Sequence, residues 1–270
     1  MIADRQPTQI IASAAEDRHV SILGVRIADV TRPRAIELID NLIRHYDGVA
    51  RSVFFVNAHT LNLAAGTPRY RSVLNSADLV FGDGTGVRWA ARLQGIRLRD
   101  NVNGTDLLPE LFRATAGCRY RCFLLGADDA TIRRASKAAE TFDGWTQAGF
   151  HHGYFSDGDA TAQVIRRVNE SRPDVLLVGM GNPRQEVWIH EHRHRLDVPV
   201  CIGVGGLFDF WSGNVSRAPD RLRRVGHEWL WRLWQQPEKA RRYLLGNPLF
   251  LARVFREWST GGAAASKPEA

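Results

Sequence analysis

Short apolar runs alternate with longer polar segments of helical character up to residue 206 of the 270-residue chain. The runs are RSVFFVNAH (51–59), ADLVFGDG (77–84), YRCFLLGA (120–127), PDVLLVGMG (173–181) and PVCIGVGG (199–206), and each apolar stretch ends at Asn, Gly or Asp. Runs that are apolar throughout are typical of strands buried on both faces of a parallel sheet. This pattern predicts an α/β fold, with a mainly parallel, Rossmann-like sheet and helices on both faces.

The ends of these predicted strands carry the residues that could form a site. Asn57, Asp83, Gly126, Gly179 and Gly203 stand at the five carboxyl ends. In open α/β sheets, ligands bind beyond these ends, where the order of the strands reverses. We therefore predict one crevice to which all five turns contribute.

One of these turns places an ionisable group between two glycines. Asp83 lies between Gly82 and Gly84 in FGDGTGV. Glycine has no Cβ, so such a turn lets a ligand approach the backbone closely. The alternative is a turn-forming Asp83 that caps a helix beginning near Thr85.

The turn after the fourth run has the features of an anion site. In GMGNPRQEVW, Gly179 and Gly181 precede Pro183 at the predicted first helical position, and Gln185 and Glu186 follow in the first turn. The free N–H groups at a helix N-terminus attract phosphate. The alternative is an ordinary tight connection between a strand and a helix.

A dinucleotide-binding fingerprint does not fit this turn, because Arg184 stands where G-x-G-x-x-G requires its third glycine. In the next turn, IGVGGLFDFWSG, Gly205 and Gly206 also allow close approach to the backbone, and Asp209 follows them.

Two motifs resemble metal sites. HEHRH formally matches the zinc motif H-E-x-x-H, with His190 and His194 as ligands and Glu191 as base, but its charged neighbours favour an exposed helix end. SDGD places Asp157 and Asp159 as in a D-x-D metal site, but it precedes a helical segment, where Asp and Ser serve as caps and turn residues. We expect no metal ligands.

Composition and the termini limit the class of protein. A chain of this length with 44% apolar residues can bury a core in one large domain, with or without an extension. Cys118, Cys122 and Cys201 contain no C-x-x-C pair, so a reducing cytoplasm fits best. No window approaches the roughly 18 apolar residues of a membrane-spanning helix. We expect a flexible polar leader at 1–19 and a disordered tail at 259–270.

The net charge of +7 is concentrated near the C terminus. The segment from Arg217 to Arg256 contains ten basic and three acidic residues, whereas the rest of the chain contains 26 of each. This boundary predicts an α/β core over 20–215 and a basic helical appendage over 216–258.

Apolar residues in this appendage follow helical spacing. The two predicted stripes are Leu222, Val225, Trp229 and Leu233, and Leu251, Val254, Phe255 and Trp258. Basic amphipathic helices with tryptophans suit an anionic membrane surface or a lipid diphosphate, and packing on the core is the alternative. A nucleic-acid-binding protein is a rival from another class. The charge avoids the sheet region and no nucleic-acid motif occurs, so we expect no such partner.

Eight motifs, taken in order, resemble a known family. They are NAHTLN, ADLVFGDGTGV, NGTDLLP, FLLGA, GMGNPRQEVWI, IGVGGLFDFWSG, SRAP and HEWLWRLWQQPEKARRYLLGN. Over residues 20 to 255 the chain is similar to the WecG/TagA/CpsF glycosyltransferases. The resemblance implies inverting, metal-independent transfer from a UDP-sugar to a sugar on polyprenyl diphosphate, without a cofactor. It also implies that the enzyme acts at the inner face of the cytoplasmic membrane, where other polysaccharide-assembly enzymes are possible partners.

The resemblance also implies roles for individual residues. Asp83 is the implied catalytic base, which takes the proton of the acceptor hydroxyl. The turn with Gln185, together with Arg217, would stabilise the negative charge of the leaving group. The predicted substrate-binding residues are Asn57, Gly84, Thr85, Asn101, Gly104, Asp106, Gly126, Gly179, Gly181, Pro183, Gln185, Glu186, Gly205, Gly206 and Asp209. Arg217, Arg232, Arg241 and Arg242 are predicted to contact diphosphates in a bidentate way.

Two residues depart from the pattern of TagA-like members. Phe55 stands where those members carry Thr, and Asn101 where they carry Arg. These positions are implied to line the substrate site, so the resemblance leaves the donor sugar open. An epimerase or dehydrogenase that acts on nucleotide sugars in the same crevice is the runner-up, and the missing dinucleotide fingerprint counts against it.

Overall fold

The computed structural model describes residues 17–219, 228–235 and 244–260. Within them eight strands form one sheet: β1 His19–Ile22, β2 Val25–Ala28, β3 Arg51–Val56, β4 Leu79–Gly82, β5 Arg121–Gly126, β6 Thr146–His151, β7 Val175–Gly179 and β8 Val200–Gly203. The helices of the core are α1 Arg32–Arg44, α2 Ala58–Gly66, α3 Pro68–Asn75, α4 Thr85–Leu93, α5 Gly104–Ala114, α6 Asp129–Ala139, α7 Asp159–Ser171, α8 Arg184–His192 and α9 Leu207–Trp211. Near the C terminus follow α10 Glu228–Gln235 and α11 Gly246–Ser259, and short 3-10 turns cover Ala116–Cys118 and Arg193–Arg195.

The strands lie in the order β1-β2-β4-β3-β8-β7-β5-β6. Only the β1–β2 pair is antiparallel. Strand β3 lies inside the sheet, because Val53 pairs with Leu79 of β4 on one side and with Ile202 of β8 on the other. The chain runs from β3 outward to β4 and then crosses to β5 on the far side, so the strand order reverses here. This arrangement confirms the predicted mainly parallel α/β fold.

All five strands predicted from apolar runs are present. The apolar runs did not predict three further strands, β1, β2 and β6. Strands β1 and β6 are the two edges of the sheet, and β2 pairs with β1. Exposed and buried residues alternate in β1, and every residue of β6 is at least partly exposed. Edge strands bury less apolar surface than central ones, so they lack a continuous apolar run.

Helices cover both faces of the sheet, as predicted. One core layer packs α1, α5, α6 and α9 against the sheet, with Phe112 and Phe208 among its fully buried side chains. The other layer contains α2, α3, α4, α7 and α8, and it also takes in Phe250 and Val254 of α11. The sheet is therefore shielded on both faces, and its carboxyl edge is left to form a site.

Helix α11 packs on the core beside α2 and α4. Arg253 donates a hydrogen bond of 2.7 Å to the carbonyl of Asn62, and Glu257 accepts one of 3.0 Å from the amide of Leu23. Val254, which we grouped with Leu251, Phe255 and Trp258 in one stripe, is 1% exposed against the core.

The other three residues of that stripe point away from the core. Leu251, Phe255 and Trp258 are 40%, 55% and 47% exposed. The predicted stripe therefore divides into a core contact and an exposed apolar surface. Leu222 and Val225 of the earlier stripe lie outside the described residues, as does the side chain of Trp229.

The predicted leader lies largely outside the described residues, and so does most of the predicted tail. At the first described positions, Asp17 forms an ion pair of 3.1 Å with Arg34, and Arg18 pairs with the buried Asp29. Helices long and apolar enough to span a membrane do not occur in the described parts of the chain.

Candidate active site

A cleft of about 430 Å³ opens at the carboxyl edge of the sheet. Residues at or just after the ends of β3, β4, β5, β7 and β8 line it, so the five predicted strands meet at one crevice. Eleven of the residues predicted from sequence line this cleft: Phe55, Asn57, Asp83, Gly104, Gly179, Gly181, Gln185, Gly203, Gly205, Gly206 and Asp209.

The Asp83 turn is held by backbone hydrogen bonds on both sides. The amide of Asp83 donates to the carbonyl of Val56 at 2.8 Å, and the amide of Val102 donates to the carbonyl of Gly82 at 3.2 Å. The amide of Gly84 donates to Oδ1 of Asn101 at 2.7 Å. Asn101, which was predicted to bind substrate, lies outside the cleft lining and instead fixes the backbone next to Asp83.

The glycines that flank Asp83 serve different purposes. Gly84 has a φ of +94° and is the N-cap of α4, and a Cβ there would meet no atom within 4 Å. This backbone region is strained for residues with a side chain. A Cβ on Gly82 would lie 2.9 Å from Cγ1 of Val87 in the core. Gly82 thus serves core packing, and only Gly84 leaves open space beside Asp83.

A buried hydrogen-bond network supports the opposite wall. Oε1 of Gln185 accepts from the amide of Gly205 at 2.9 Å, and its Nε2 donates to Oε1 of Glu186 at 2.7 Å. Asn182 also donates to Glu186, and the hydroxyl of Tyr70 donates to its other oxygen at 3.1 Å. The network links α3 and α8 to the Gly205 turn, and Gln185 and Asn182 line the cleft.

Glu186 is fully buried at the centre of this network. Burial raises its pKa to about 7, and the hydrogen bonds from Gln185, Tyr70 and Asn182 oppose that rise. Burial and the adjacent Glu186 raise the pKa of Tyr70, so Tyr70 stays a protonated donor. Glu186, predicted to bind substrate, instead lies behind the wall and positions the two amides that face the cleft.

Helix α8 begins one residue later than predicted. Its first residue is Arg184, and Pro183 is the exposed N-cap. Gln185 and Glu186 still fall in the first turn, where Gln185 is 1% exposed and reaches the cleft. The predicted anion site therefore keeps its helix N-terminus, with Gly181 and Asn182 at the cleft instead of Pro183.

Other predicted site residues lie outside the lining of this cleft. Thr85 begins α4 on the exposed side. Gly126 allows β5 and β7 to approach, because a Cβ there would lie 2.3 Å from the carbonyl oxygen of Gly179. Asp106 forms an ion pair of 2.7 Å with Arg217. These two predicted ligands thus bind each other, and they connect α5 to the segment that follows α9.

The other three arginines assigned to diphosphates lie wholly or partly outside the described residues. Arg241 and Arg242 lie outside the described residues, and for Arg232 only the backbone, in α10, is described.

The cleft contains residues that the sequence analysis missed as site residues. His59, Thr105, Asp128 and Tyr154 line it, whereas Phe55, whose position was implied to line the substrate site, does so as expected. Tyr154 is 70% exposed in the loop after β6. The sequence around it has no apolar run that ends there, so no strand-end pattern pointed to it.

Phe55 closes the floor of the cleft. Its side chain is 7% exposed and packs on Phe81, with ring centroids 5.9 Å apart. A Cβ on Gly104 would lie 3.0 Å from its ring. The ring therefore fills space between β3 and the start of α5.

The two metal-like motifs lie at the surface of the protein. His190, Glu191 and His194 are exposed, and Glu191 pairs with Arg69 at 2.7 Å. Asp157 and Asp159 are exposed before and at the start of α7, whose N-cap is Gly158. Among the described residues, no group of three or more His, Cys, Asp or Glu side chains could hold a metal ion.

Comparison with known proteins identifies the family. Residues 20–263 match the profile of the glycosyl transferase WecG/TagA/CpsF family. The chain belongs to this family. It is therefore a glycosyltransferase, which confirms the family and the class of activity expected from its motifs.

Its relatives include proteins named N-acetylglucosaminyldiphosphoundecaprenol N-acetyl-beta-D-mannosaminyltransferase. The one from Bacillus subtilis (strain 168) is 34% identical over 234 residues, which are 86% of this chain and 90% of the relative. The one from Bacillus spizizenii is 36% identical over 70% of this chain and 72% of the relative. The one from Staphylococcus aureus (strain MW2) is 29% identical over 88% of this chain and 92% of the relative.

Proposed function

We propose that this glycosyltransferase moves a sugar, with inversion and without a metal ion, from a UDP-sugar to a sugar carried on polyprenyl diphosphate. The observation that carries the proposal is the cleft itself, with the carboxylate of Asp83 at one strand end and the N-terminus of α8 at another. The names of the relatives support a lipid-linked acceptor, since each contains diphosphoundecaprenol. The product would serve the assembly of a bacterial surface glycan.

Asp83 acts as the general base in this proposal. Inversion requires the acceptor hydroxyl to attack the anomeric carbon from the side opposite the leaving UDP, and a general base such as the carboxylate of Asp83 takes its proton. The hydrogen bonds of Val56, Asn101 and Val102 fix the backbone of the turn. A fixed base loses little entropy on reaching the transition state.

The UDP-sugar donor would bind along the wall of the cleft that lies opposite Asp83, at the start of α8 and the Gly205 turn. The N–H groups at the start of α8, reached past Gly181 and Asn182, attract the diphosphate. The exposed ring of Tyr154 offers a stacking surface for the uracil. Asp209, beyond the Gly205 turn, can accept hydrogen bonds from sugar hydroxyls.

The appendage arginines would bind diphosphate oxygens. Arg217 is paired with Asp106 in the structure, so it would exchange this carboxylate for a phosphate when substrate binds. We assign Arg232, Arg241 and Arg242 to the same task, because several guanidinium groups can neutralise a leaving diphosphate without a metal ion.

The proposed location is the inner face of the cytoplasmic membrane, where a lipid-linked acceptor resides. The exposed stripe of Leu251, Phe255 and Trp258 on α11 supports peripheral attachment, since an apolar helical stripe inserts shallowly into a bilayer surface. Other enzymes of polysaccharide assembly would act beside it on the same lipid.

A transfer assay tests the proposal. Purified protein would be incubated with a panel of UDP-sugars and with polyprenyl diphosphate that carries N-acetylglucosamine. We expect one UDP-sugar to yield a disaccharide on the lipid, with the opposite anomeric configuration by NMR. Release of a modified nucleotide sugar without any transfer would contradict the proposal, and retained configuration would contradict inversion.

A further inference from the structure

The exposed side of α4 and the loop that follows it form a basic surface on the catalytic core. We define the α4 face as Arg88, Trp89, Arg92, Arg97 and Arg99, all of which are exposed. Trp89 is 39% exposed. The segment from Gly84 to Arg99 contains four arginines and no acidic residue. The core is balanced in charge as a whole, but its charge is unevenly distributed.

The two sides of α4 differ in character. Val87, Ala90 and Ala91 are fully buried in the core. Arg88, Trp89 and Arg92 are spaced one, three and four positions apart, so they share the opposite side of the helix. The core packing of α4 therefore requires the arginines and the tryptophan to face outward together.

The arginines of the α4 face have no acidic partner in the part of the chain that the structure describes. In residues 17–219, 228–235 and 244–260, ion pairs engage neighbouring arginines, such as Arg32 with Glu110 at 2.6 Å and Arg34 with Asp17 at 3.1 Å. The guanidinium groups of the α4 face form no such ion pair or hydrogen bond within those ranges. Arg88 and Arg92 therefore flank an exposed tryptophan without an acidic partner among the described residues, and such an arrangement is typical of a surface that contacts anionic lipid.

The α4 face also lies close to the reacting groups and to the apolar stripe of α11. Helix α4 begins two residues after Asp83. Helix α11 packs beside α4, where a Cβ on Gly86 would lie 3.4 Å from the ring of Phe250. The exposed residues Leu251, Phe255 and Trp258 belong to that same neighbouring helix.

We propose that the α4 face binds the anionic headgroups of the membrane directly, as a second contact besides the appendage. This inference rests on the proposed lipid-linked acceptor. Arginines attract anionic headgroups, and a tryptophan ring sits well at the level of the headgroups. Contact through α4 presents the mouth of the cleft beside Asp83 to the bilayer, where the acceptor sugar emerges.

The test compares two pairs of substitutions in the full-length protein. Arg88→Gln/Arg92→Gln removes two charges from the α4 face. Arg166→Gln/Arg167→Gln removes two charges from exposed positions on α7. Helix α4 packs against β1 and α7 against β6, which are opposite edges of the sheet. The control therefore has the same net charge and a distant location.

Partition onto liposomes of phosphatidylcholine with 30% phosphatidylglycerol would be measured by sedimentation, without donor or acceptor. We expect the α4 variant to bind about thirtyfold more weakly than wild type, because each arginine near an anionic surface contributes about 1 kcal/mol. The α7 variant should bind as wild type does, and liposomes of phosphatidylcholine alone should abolish the difference. Thermal unfolding and gel filtration would show that both variants keep their fold.

Three outcomes would overturn the inference: equal partition of the α4 variant and wild type, equal losses in both variants, or a change in self-association instead of liposome binding. The partition assay involves no chemistry. Its result is therefore separate from that of the transfer assay, and failure of one is distinguishable from failure of the other.

Discussion

Replacing Glu186 by Gln should change how stability depends on pH. Gln has nearly the same shape, and its oxygen can accept the hydrogen bonds that Gln185 and Asn182 donate to Oε1 of Glu186. Its amide nitrogen can donate to the hydroxyl of Tyr70, which donates to Oε2 of Glu186 at 3.1 Å in the wild type. The variant therefore keeps a hydrogen bond at each of these positions, with the bond to Tyr70 reversed in direction, and it removes the titration.

The magnitude follows from the pKa of the buried carboxyl group. Burial raises the pKa of Glu186 from 4.5 to about 7, and such a rise corresponds to about 3 kcal/mol. The folded protein holds this proton more tightly than the unfolded chain. The contribution of Glu186 to stability is therefore fully present below pH 4.5 and is lost as the pH rises through about 7.

The assay is urea unfolding of wild type and Glu186→Gln at a series of pH values. The contributions of all other titrating groups cancel when the free energy of unfolding of the wild type is subtracted from that of the variant. We expect this difference to shift in favour of the variant by about 3 kcal/mol between about pH 4.5 and about pH 8. A difference that stays constant over this range would refute the assignment.

A second variant tests the direction of one contribution. The hydrogen bond from Tyr70 lowers the pKa of Glu186, so Tyr70→Phe should raise that pKa further. The pH range in which stability is lost should then move upward, and a downward movement would contradict the described network.

Three further predictions concern the cleft and the appendage. Asn101→Ala frees the amide of Gly84 and should lower kcat by about 10-fold or more with little change in donor KM, as steady-state kinetics would show; an unchanged kcat would contradict its role. Transfer should persist in excess EDTA, whereas loss with rescue by Mn²⁺ would reassign Asp157 and Asp159. Truncation before Arg217 should weaken binding to anionic liposomes, with the α4 face as the contact that remains, and abolish transfer to a water-soluble acceptor; turnover of that acceptor at full rate would show that the segment only attaches the protein to the membrane.

The central strands and the cleft were predictable because both follow from burial. A strand covered on two faces must be apolar throughout, and the carboxyl ends of such strands meet at one edge. The edge strands β1 and β6 carry polar residues because one side of each has no neighbouring strand, so no continuous run revealed them.

The roles of neighbouring residues in the site were harder to predict. Gln185 and Glu186 are adjacent in sequence, but successive residues of a helix point about 100° apart. One therefore reaches the cleft and the other is buried behind it. The pairing of Asp106 with Arg217 joins segments distant in sequence, and only the fold brings them together. Tyr154 lies in a loop, where no periodic pattern constrains the side chain.

The central claim is that Asp83 is the general base, and turnover of Asp83→Asn with the UDP-sugar and the lipid-linked acceptor tests it most directly. The matched control is Asp159→Asn, the same substitution at an exposed position on α7. We expect Asp83→Asn to lower kcat by about 10²-fold or more, because a general base contributes about that much. The affinity for UDP should stay the same, and Asp159→Asn should be fully active. Turnover of Asp83→Asn close to that of wild type would contradict the account.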